Sequence, residues 1–243
     1  MTLLEKIAPL FDGWNETLIW SVLQGHMGSY LADDEAAPEA AQIVLGDFCF
    51  FAGKPSAAFA AKATTREIIP RDASWEPAIE QAWGDRAEKR LRYAIKKEPD
   101  VFSRETLQRY IDSLSPEFEL RLFDESLYQQ VALENWSADF QGCFSDAADF
   151  LARGIGVAAL HNGKLVAGAG SYSVYTGGFE IEIDTHPDYR RRGLATACGA
   201  KLILYALDNG LYPSWDAFDL RSVALAEKLG YHFDHPYVMY MIH

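Results

Sequence analysis

The stretch Glu182-Ile-Asp-Thr-His-Pro-Asp-Tyr-Arg-Arg-Arg-Gly-Leu-Ala-Thr196 places the end of a strand, a turn, a basic loop and the start of a helix in direct succession. From Phe179 to Thr185 apolar and acidic residues alternate, which is typical of a strand with one apolar face. Pro187 ends this strand. From Leu194 to Leu207 Lys201 is the only charged residue, which predicts a helix buried on most sides.

The loop between this strand and helix has the properties of an anion-binding site. Gly193 carries no side chain where a ligand would approach the backbone. The first N–H groups of a helix are unpaired and lie at the positive end of its dipole, so they attract phosphate oxygens. We therefore expect a phosphate-bearing cofactor here. The alternative is a solvent-exposed basic turn that begins an ordinary core helix.

The spacing Arg190-x-x-Gly193-x-Ala195 resembles the fingerprint of the GCN5-related N-acetyltransferase (GNAT) superfamily. In that family the backbone amides of the fingerprint hold the diphosphate of acetyl-coenzyme A. The resemblance implies that the backbone amides of Ile183 and Thr185 polarise the thioester carbonyl. The implied cofactor-binding residues are Ile183, Thr185, Arg190, Arg191, Arg192, Gly193, Leu194, Ala195 and Thr196.

A second motif, Ser222-Val-Ala-Leu-Ala-Glu-Lys-Leu-Gly-Tyr231, resembles the closing helix of the same family. Many relatives have a tyrosine at the position of Ala226, and that tyrosine protonates the departing thiolate. Alanine cannot donate a proton, so the resemblance does not supply the general acid. Longer phrases, such as Gly46 to Gly53, resemble a bacterial subgroup that includes the zwittermicin A resistance acetyltransferase.

The acidic face of the strand supplies candidate bases for acetyl transfer. An alkylamine with a pKa of about 10.4 is mostly protonated at neutral pH and must lose a proton before it attacks a thioester. Glu180 and Glu182 lie on the face opposite the isoleucines, so both are candidates, with Asp184 as a third. The alternative is that they are solvated or paired with the arginines at 190–192.

Four residues that follow the cofactor helix, the last of them at the start of the closing-helix motif, are predicted to line the acceptor pocket: Trp215, Asp216, Asp219 and Ser222. The aspartates would hold the ammonium group of a substrate. Each has a structural alternative as well. A tryptophan is more often a core residue than a ligand contact. An aspartate just before a helix often caps it.

Composition excludes several other classes of function. The 243 residues carry a formal charge of -13, which disfavours nucleic acid as a partner and mildly favours cationic ligands. The alternative, which explains the charge alone more simply, is that it only keeps the protein soluble. The three cysteines, Cys49, Cys143 and Cys198, form no pair that indicates a disulfide framework or a zinc site. His232 and His235 are more simply strand and turn residues than metal ligands, and we expect no metal.

No apolar run is long enough to span a membrane, and a reducing cytoplasm is the expected location. The expected state is a monomer or a homodimer.

The chain is predicted to contain two α/β parts, with a seam at Ser113 to Pro116. Residues 1–116 would form a smaller N-terminal domain, and residues 117–243 would have the GNAT fold that the resemblance implies. Predicted elements of the first part include one strand from Gln42 to Phe51 and a strand from Lys89 to Lys97 that points Leu91, Tyr93 and Ile95 inward. In the second part Asn-Gly at 162–163 predicts a tight hairpin, and Leu211 to Ala217 is expected to form one strand after the cofactor helix.

Two functions from different classes follow from these observations. The first is an N-acetyltransferase that moves an acetyl group from acetyl-coenzyme A directly to a primary amine of a small molecule. The second is a non-catalytic sensor or interaction module that binds acyl-coenzyme A, which the alanine at position 226 favours. Turnover with an amine would separate the two.

Overall fold

The structure, a computed structural model, describes residues 1–243 and divides them into two compact units. The first contains Met1–Arg92 and Pro236–His243, and the second contains Tyr93–His235. The chain passes between the units within two strands, β5 (Ala87–Ile95) and β12 (Phe233–Ile242). The predicted boundary at residue 116 concerns independently folding domains and stays a prediction.

The first unit is mixed α/β. Its helices are α1 (Leu3–Ile7), α2 (Thr17–Leu23), α3 (Ala57–Ala60) and α4 (Glu76–Trp83), and its further strands are β1 (Ser29–Ala32), β2 (Ala40–Leu45), β3 (Phe48–Gly53) and β4 (Glu67–Pro70). The strands follow the order β1-β2-β3-β4-β12-β5. Phe51 packs against Phe59 and Trp75 to form the centre of its core.

Two predictions for this unit were wrong. The segment from Gln42 to Phe51 is an antiparallel hairpin and not one strand, because Gly46 has a positive φ of 55° and reverses the chain. On β5 the inward position predicted for Leu91 is wrong, because Leu91 is 50% exposed and Arg92 is buried, whereas Ile95 is buried as predicted. Arg92 is retained in the interior because it donates to Glu67 Oε2 at 2.9 Å and its guanidinium lies over the ring of Phe48.

The second unit contains a five-stranded sheet in the order β10-β9-β8-β7-β6. These strands are β6 (Phe118–Leu122), β7 (Gly156–His161), β8 (Lys164–Tyr175), β9 (Gly178–Thr185) and β10 (Tyr212–Ser214). A further short strand, β11 (Asp216–Ala217), pairs with Tyr93 and Ala94. The helices are α5 (Arg104–Asp112), α6 (Glu125–Val131), α7 (Ala147–Arg153), α8 (Leu194–Asp208) and α9 (Leu220–Leu229).

Three elements of this unit place the candidate site. The hairpin between β7 and β8 turns at Asn162 and Gly163, both with positive φ, as the sequence predicts. The predicted acidic strand is β9, and α8 begins at Leu194, the predicted residue. The predicted strand from Leu211 to Ala217 is instead two short strands that are interrupted at Trp215.

Candidate active site

Strand β9 continues past the end of its neighbour β10. The parallel pairing covers only Gly178 to Glu180, whereas β9 extends to Thr185. The amide of Tyr212 donates to the carbonyl of Gly177, so the odd-numbered residues of β9 direct their peptide groups toward β10. Beyond Glu180 this edge of β9 pairs with no other strand, and it can receive an extended ligand.

The end of this open edge is held by short polar contacts. The amide of Thr185 donates to Asp184 Oδ1 at 2.6 Å, and the Thr185 carbonyl accepts from Arg190 Nε at 3.3 Å. Arg190 Nη2 also lies 3.9 Å from Asp184 Oδ1. Asp184 therefore occupies one of the two amides that the resemblance assigns to the thioester, and a ligand carbonyl would have to displace its carboxylate.

The basic loop leads directly from this edge to the start of α8. Arg191 and Gly193 have positive φ values of 63° and 80°, so the chain turns sharply before the helix begins. A Cβ added at Gly193 would meet no atom within 4 Å, so the glycine faces open space. The 15-residue helix α8 starts there, and its unpaired amides make the loop suitable for an anion.

The structure places two further cations at this end of the site that the sequence analysis did not select. Lys228 Nζ donates to Thr196 Oγ1, in the first turn of α8, at 3.2 Å. The side chain of Arg221 is 87% exposed, and its pKa is raised by the hydrogen bond with Asp219 and, more weakly, by the charge of Asp184. Lys228 belongs to the motif that resembles the closing helix, but the sequence does not show which group a single charged residue of a helix contacts.

The acidic residues of β9 lie on the face opposite α8. A Cβ at Gly199 of α8 would lie 3.3 Å from Ile183 Cδ1, so Ile183 points toward the helix. Glu180, Glu182 and Asp184 alternate with it and therefore share the other face. Glu180 is 6% exposed, whereas the other two are half-buried. The structure shows an arginine pairing at Asp184, through Arg190, whereas the alternative considered from the sequence concerned Glu180 and Glu182.

Three tyrosines lie near Glu180, and each already donates its hydroxyl proton. Tyr175 donates to the Tyr212 carbonyl, Tyr212 to the Lys96 carbonyl and Tyr231 to the Pro213 carbonyl. Burial, followed by the smaller effect of nearby carboxylates, raises the pKa of Tyr212 to about 12. These hydroxyls hold the strands in place and are poor sources of a proton for a leaving group.

Comparison with known proteins assigns the fold and the family. The profile of GNAT acetyltransferases matches residues 8–240. The chain belongs to the GNAT acetyltransferase family. It is 41% identical to a GCN5-related N-acetyltransferase-like protein from Streptococcus suis 89/1591, whose structure covers 99% of this chain and 98% of its own with a TM-score of 0.95. A GCN5-related N-acetyltransferase from Kribbella flavida shares the fold at 13% identity, with a TM-score of 0.59 over 93% of this chain and 94% of its own.

A curated relative, the uncharacterized N-acetyltransferase YdfB of Bacillus subtilis (strain 168), is 28% identical over 169 residues. The match covers 69% of this chain and 62% of the relative. The mixed α/β GNAT fold is thus supported over the whole chain, and membership of this family supports an acyltransferase.

In this GNAT protein the four predicted acceptor residues have clear structural contacts. Trp215 is 3% exposed, and its indole N–H donates to Ser222 Oγ at 3.0 Å. Asp219 caps α9 by accepting from the amides of Arg221 and Ser222. Asp216 is half-buried on β11. The core and capping alternatives therefore describe Trp215 and Asp219, and contact with an acceptor stays a prediction for all four.

The position of Ala226 is fully buried in α9, so no side chain from it reaches the open edge of β9. On the same helix Ser222 carries a hydroxyl group and is half-buried. His232 and His235 contact Glu98 and Asp234 respectively. No group of three or more His, Cys, Asp or Glu side chains is arranged to hold a metal ion, and no helix has the length and hydropathy of a membrane span.

Proposed function

We propose that this GNAT protein transfers an acetyl group from acetyl-coenzyme A to a primary amine of a small molecule by direct attack. The observation that carries the proposal is the continuous track from the open edge of β9, through the basic loop, to the start of α8. An extended thioester arm fits along a strand edge, and a diphosphate fits the amides at a helix start. The residues of the track are the cofactor-binding set expected from the sequence.

In this proposal the loop from Arg190 to Thr196 holds the diphosphate, and Lys228 adds a charge beside Thr196. The amide of Ile183 faces the open edge and polarises the thioester carbonyl. A backbone donor of this kind contributes about 2.7–4 kcal/mol of transition-state stabilisation. The amide of Thr185 joins it once Asp184 has turned away.

Glu180 or Glu182 takes the proton of the acceptor ammonium. Glu180 is the first candidate, because it lies at the last paired position of β9, where the open edge begins. Glu182 lies two residues further along the same face. For the leaving thiolate, with a free-thiol pKa of about 8.5, the hydroxyl of Ser222 is the proposed donor.

The remaining details of the proposal extend the sequence analysis. The net charge of -13 favours a cationic acceptor. The resemblance to the subgroup of the zwittermicin A resistance acetyltransferase suggests antibiotics and related metabolites as acceptors to test first. A cytoplasmic location, a monomeric or homodimeric state and a separate N-terminal domain at residues 1–116 are retained as proposals.

A screen of primary amines with detection of released thiol tests the proposal. Glu180→Gln and Glu182→Gln would then be compared with Glu119→Gln, which changes an exposed glutamate on β6. Loss of a general base lowers kcat by about 10²–10⁴-fold, and the loss shrinks as pH rises and more amine arrives neutral. Equal kcat in all three variants would exclude both carboxylates.

The second candidate function is an acyl-coenzyme A sensor, which the buried alanine at position 226 favours. Calorimetry combined with thiol detection separates it from the enzyme. A sensor would bind acetyl-coenzyme A and release no thiol with any amine in the screen, whereas the enzyme would release thiol in proportion to the acetylated product.

A further inference from the structure

A β-bulge in β8 determines which side chains lie beside Glu180. The β8–β9 register pairs Ser171 with Ile181 and Ser173 with Glu180, so Tyr172 is an extra residue. The Tyr172 carbonyl accepts from the amide of Cys143 at 2.7 Å. The bulge is thus held by a contact from outside the sheet.

Because of this bulge, Ser173 and Glu180 are directly opposite each other and share one face. On the other side Glu180 pairs with Ser214 of β10. Side chains that are directly opposite on neighbouring strands are in reach of each other. The three side chains therefore form one row across three strands, which we call the serine–glutamate row.

The row is buried, and its two hydroxyl groups have no hydrogen-bond partner in the protein. Ser173 and Ser214 are both 0% exposed. The hydroxyl oxygen of each is without a partner. A buried hydroxyl that makes no hydrogen bond costs free energy, and alanine would avoid that cost at the same volume or less. Such groups are concentrated at functional sites.

The row also lies at the point where the pairing of β9 with β10 stops and the open edge of β9 begins. The pairing of β9 with β10 stops at Glu180 and Ser214, so a ligand that follows the edge of β9 inward arrives at this register. Glu180, at 6% exposed, is the only member of the row that solvent reaches. The two serines lie beneath the surface on either side of its carboxylate.

We infer that Ser173 and Ser214 are positioning residues for Glu180, which they orient by donating hydrogen bonds to its carboxylate whenever that carboxylate is ionised, as it is when the acceptor ammonium binds. This inference rests on the proposed function. In the step, an N–H bond of the ammonium breaks, an O–H bond forms on Glu180, and the electron pair stays on nitrogen. The neutral amine attacks the thioester carbon and forms a C–N bond, the C–S bond breaks, and the thiolate leaves with its electron pair. The nitrogen then loses a second proton, and the thiolate gains one through the hydroxyl of Ser222, which leaves a neutral amide and a free thiol. A serine hydroxyl turns about one torsion, so it can supply such a bond without backbone movement.

The test measures the carboxyl group of Glu180 directly and also measures turnover. Protein labelled with ¹³C at the glutamate carboxyl is titrated by NMR, and the Glu180 signal is assigned by its loss in Glu180→Gln. The variants are Ser173→Ala and Ser214→Ala. The matched control is Ser21→Ala, which removes another hydroxyl that is 0% exposed and partnerless, in the first unit. Thermal unfolding of all three reports any common effect on stability.

Loss of a hydrogen-bond donor destabilises the charged carboxylate, so the titration midpoint of Glu180 should rise by roughly half a pH unit or more in the two row variants. In Ser21→Ala it should stay where it is. With an identified amine, kcat should fall on the order of tenfold in each row variant, with cofactor affinity unchanged. In a Glu180→Gln background the same serine changes should then have little further effect on kcat.

The outcomes distinguish the two proposals. An unmoved midpoint in both row variants overturns the positioning role, whether or not the wild type turns over. A serine effect on kcat that is equally large in the Glu180→Gln background also overturns it, because it would not act through Glu180. If the midpoint rises but no amine releases thiol, the coupling in the row stands and the acetyltransferase proposal fails.

Discussion

Replacing Gly193 by glutamate should separate cofactor binding from folding. Gly193 has φ = 80° and no atom within 4 Å of an added Cβ, so the new side chain meets solvent and not protein. The cost to folding comes from the left-handed backbone alone, about 1–2 kcal/mol. The cost to binding is different, because the carboxylate stands where a diphosphate would meet the amides of α8. We expect acetyl-coenzyme A affinity to fall at least tenfold, which is about 1.4 kcal/mol.

The same helix offers a matched control at its other end. Gly210 has φ = 66°, and a Cβ there also meets no atom within 4 Å. With a rise of about 1.5 Å per residue, the 15 residues of α8 separate the two glycines by roughly 22 Å. Gly210→Glu therefore repeats the backbone strain and the added charge at a distance from the loop.

Calorimetric titration with acetyl-coenzyme A and denaturant unfolding would be measured for both glycine variants. A loss of unfolding free energy in both variants, larger in Gly210→Glu because its carboxylate lies at the negative end of the helix dipole, with weakened binding only in Gly193→Glu, would support the assignment of the loop. Equal affinity in Gly193→Glu and Gly210→Glu would refute it, since only the first places the new carboxylate at the loop.

Three further predictions test other parts of the site. The hydrogen bond from Arg221 holds the pKa of Asp219 below its ordinary value. The Asp219 carboxylate therefore caps α9 with full effect above the unfolded pKa of about 3.9, and this stabilisation is lost as the pH falls through the lower pKa of the folded state. Asp219→Ala should therefore cost about 1 kcal/mol of unfolding free energy at pH 7 and progressively less below pH 4, and an equal cost at pH 7 and pH 2 would contradict this. Burial raises the pKa of Cys198 to about 12, whereas Cys143 is half-exposed. At pH 8 a disulfide reagent should therefore label Cys143 quickly and Cys198 only on unfolding, and fast labelling of both in the folded protein would contradict the burial of Cys198 in α8. Ala226→Tyr should lower stability by about 1–3 kcal/mol through overpacking and should not greatly raise turnover, and a gain of 100-fold or more would show that the native site lacks an acid.

The parts of the fold that the sequence predicts are those with a strong local signal. Strand β9 has strict alternation, the Asn-Gly turn at 162–163 demands positive φ, and α8 is almost free of charge. In each case the local preference and the tertiary burial point to the same structure. Their succession also determines where the candidate cofactor loop lies.

Two errors in the first unit show where local pattern is insufficient. A glycine within an apolar run is compatible with a strand, and only its positive φ at Gly46 makes the hairpin. The burial of Arg92 depends on Glu67, which is 25 residues away along the chain. A pairing at that distance cannot be read from periodicity in β5.

Helix α5 was not among the predicted elements, because the signal for it in the sequence is present but weak. Ser103 caps it by accepting from the amide of Thr106, and the helix contains many charged residues. Of its nine residues only Leu107 is buried, so the apolar stripe that normally identifies a helix is nearly absent. A capping residue alone does not distinguish such a helix from a loop.

The identity of the residues beside the candidate base depends on a single extra residue in β8. Without the bulge at Tyr172, regular alternation would put Ser173 and Ser171 on the same face, and Ser171 lies opposite Ile181. Gly168 and Gly170 precede Ser171-Tyr-Ser173 and are compatible with a bulge nearby, but they do not locate it at Tyr172. The amide that binds the bulge comes from Cys143, outside the sheet. The acidic face of β9 was therefore accessible to sequence reasoning, because it is local to one strand. The sequence does not show which of these carboxylates lies between two buried hydroxyl groups, because the position of the bulge is determined by a long-range contact. The position of the bulge is what favours Glu180 over Glu182 as the proposed base.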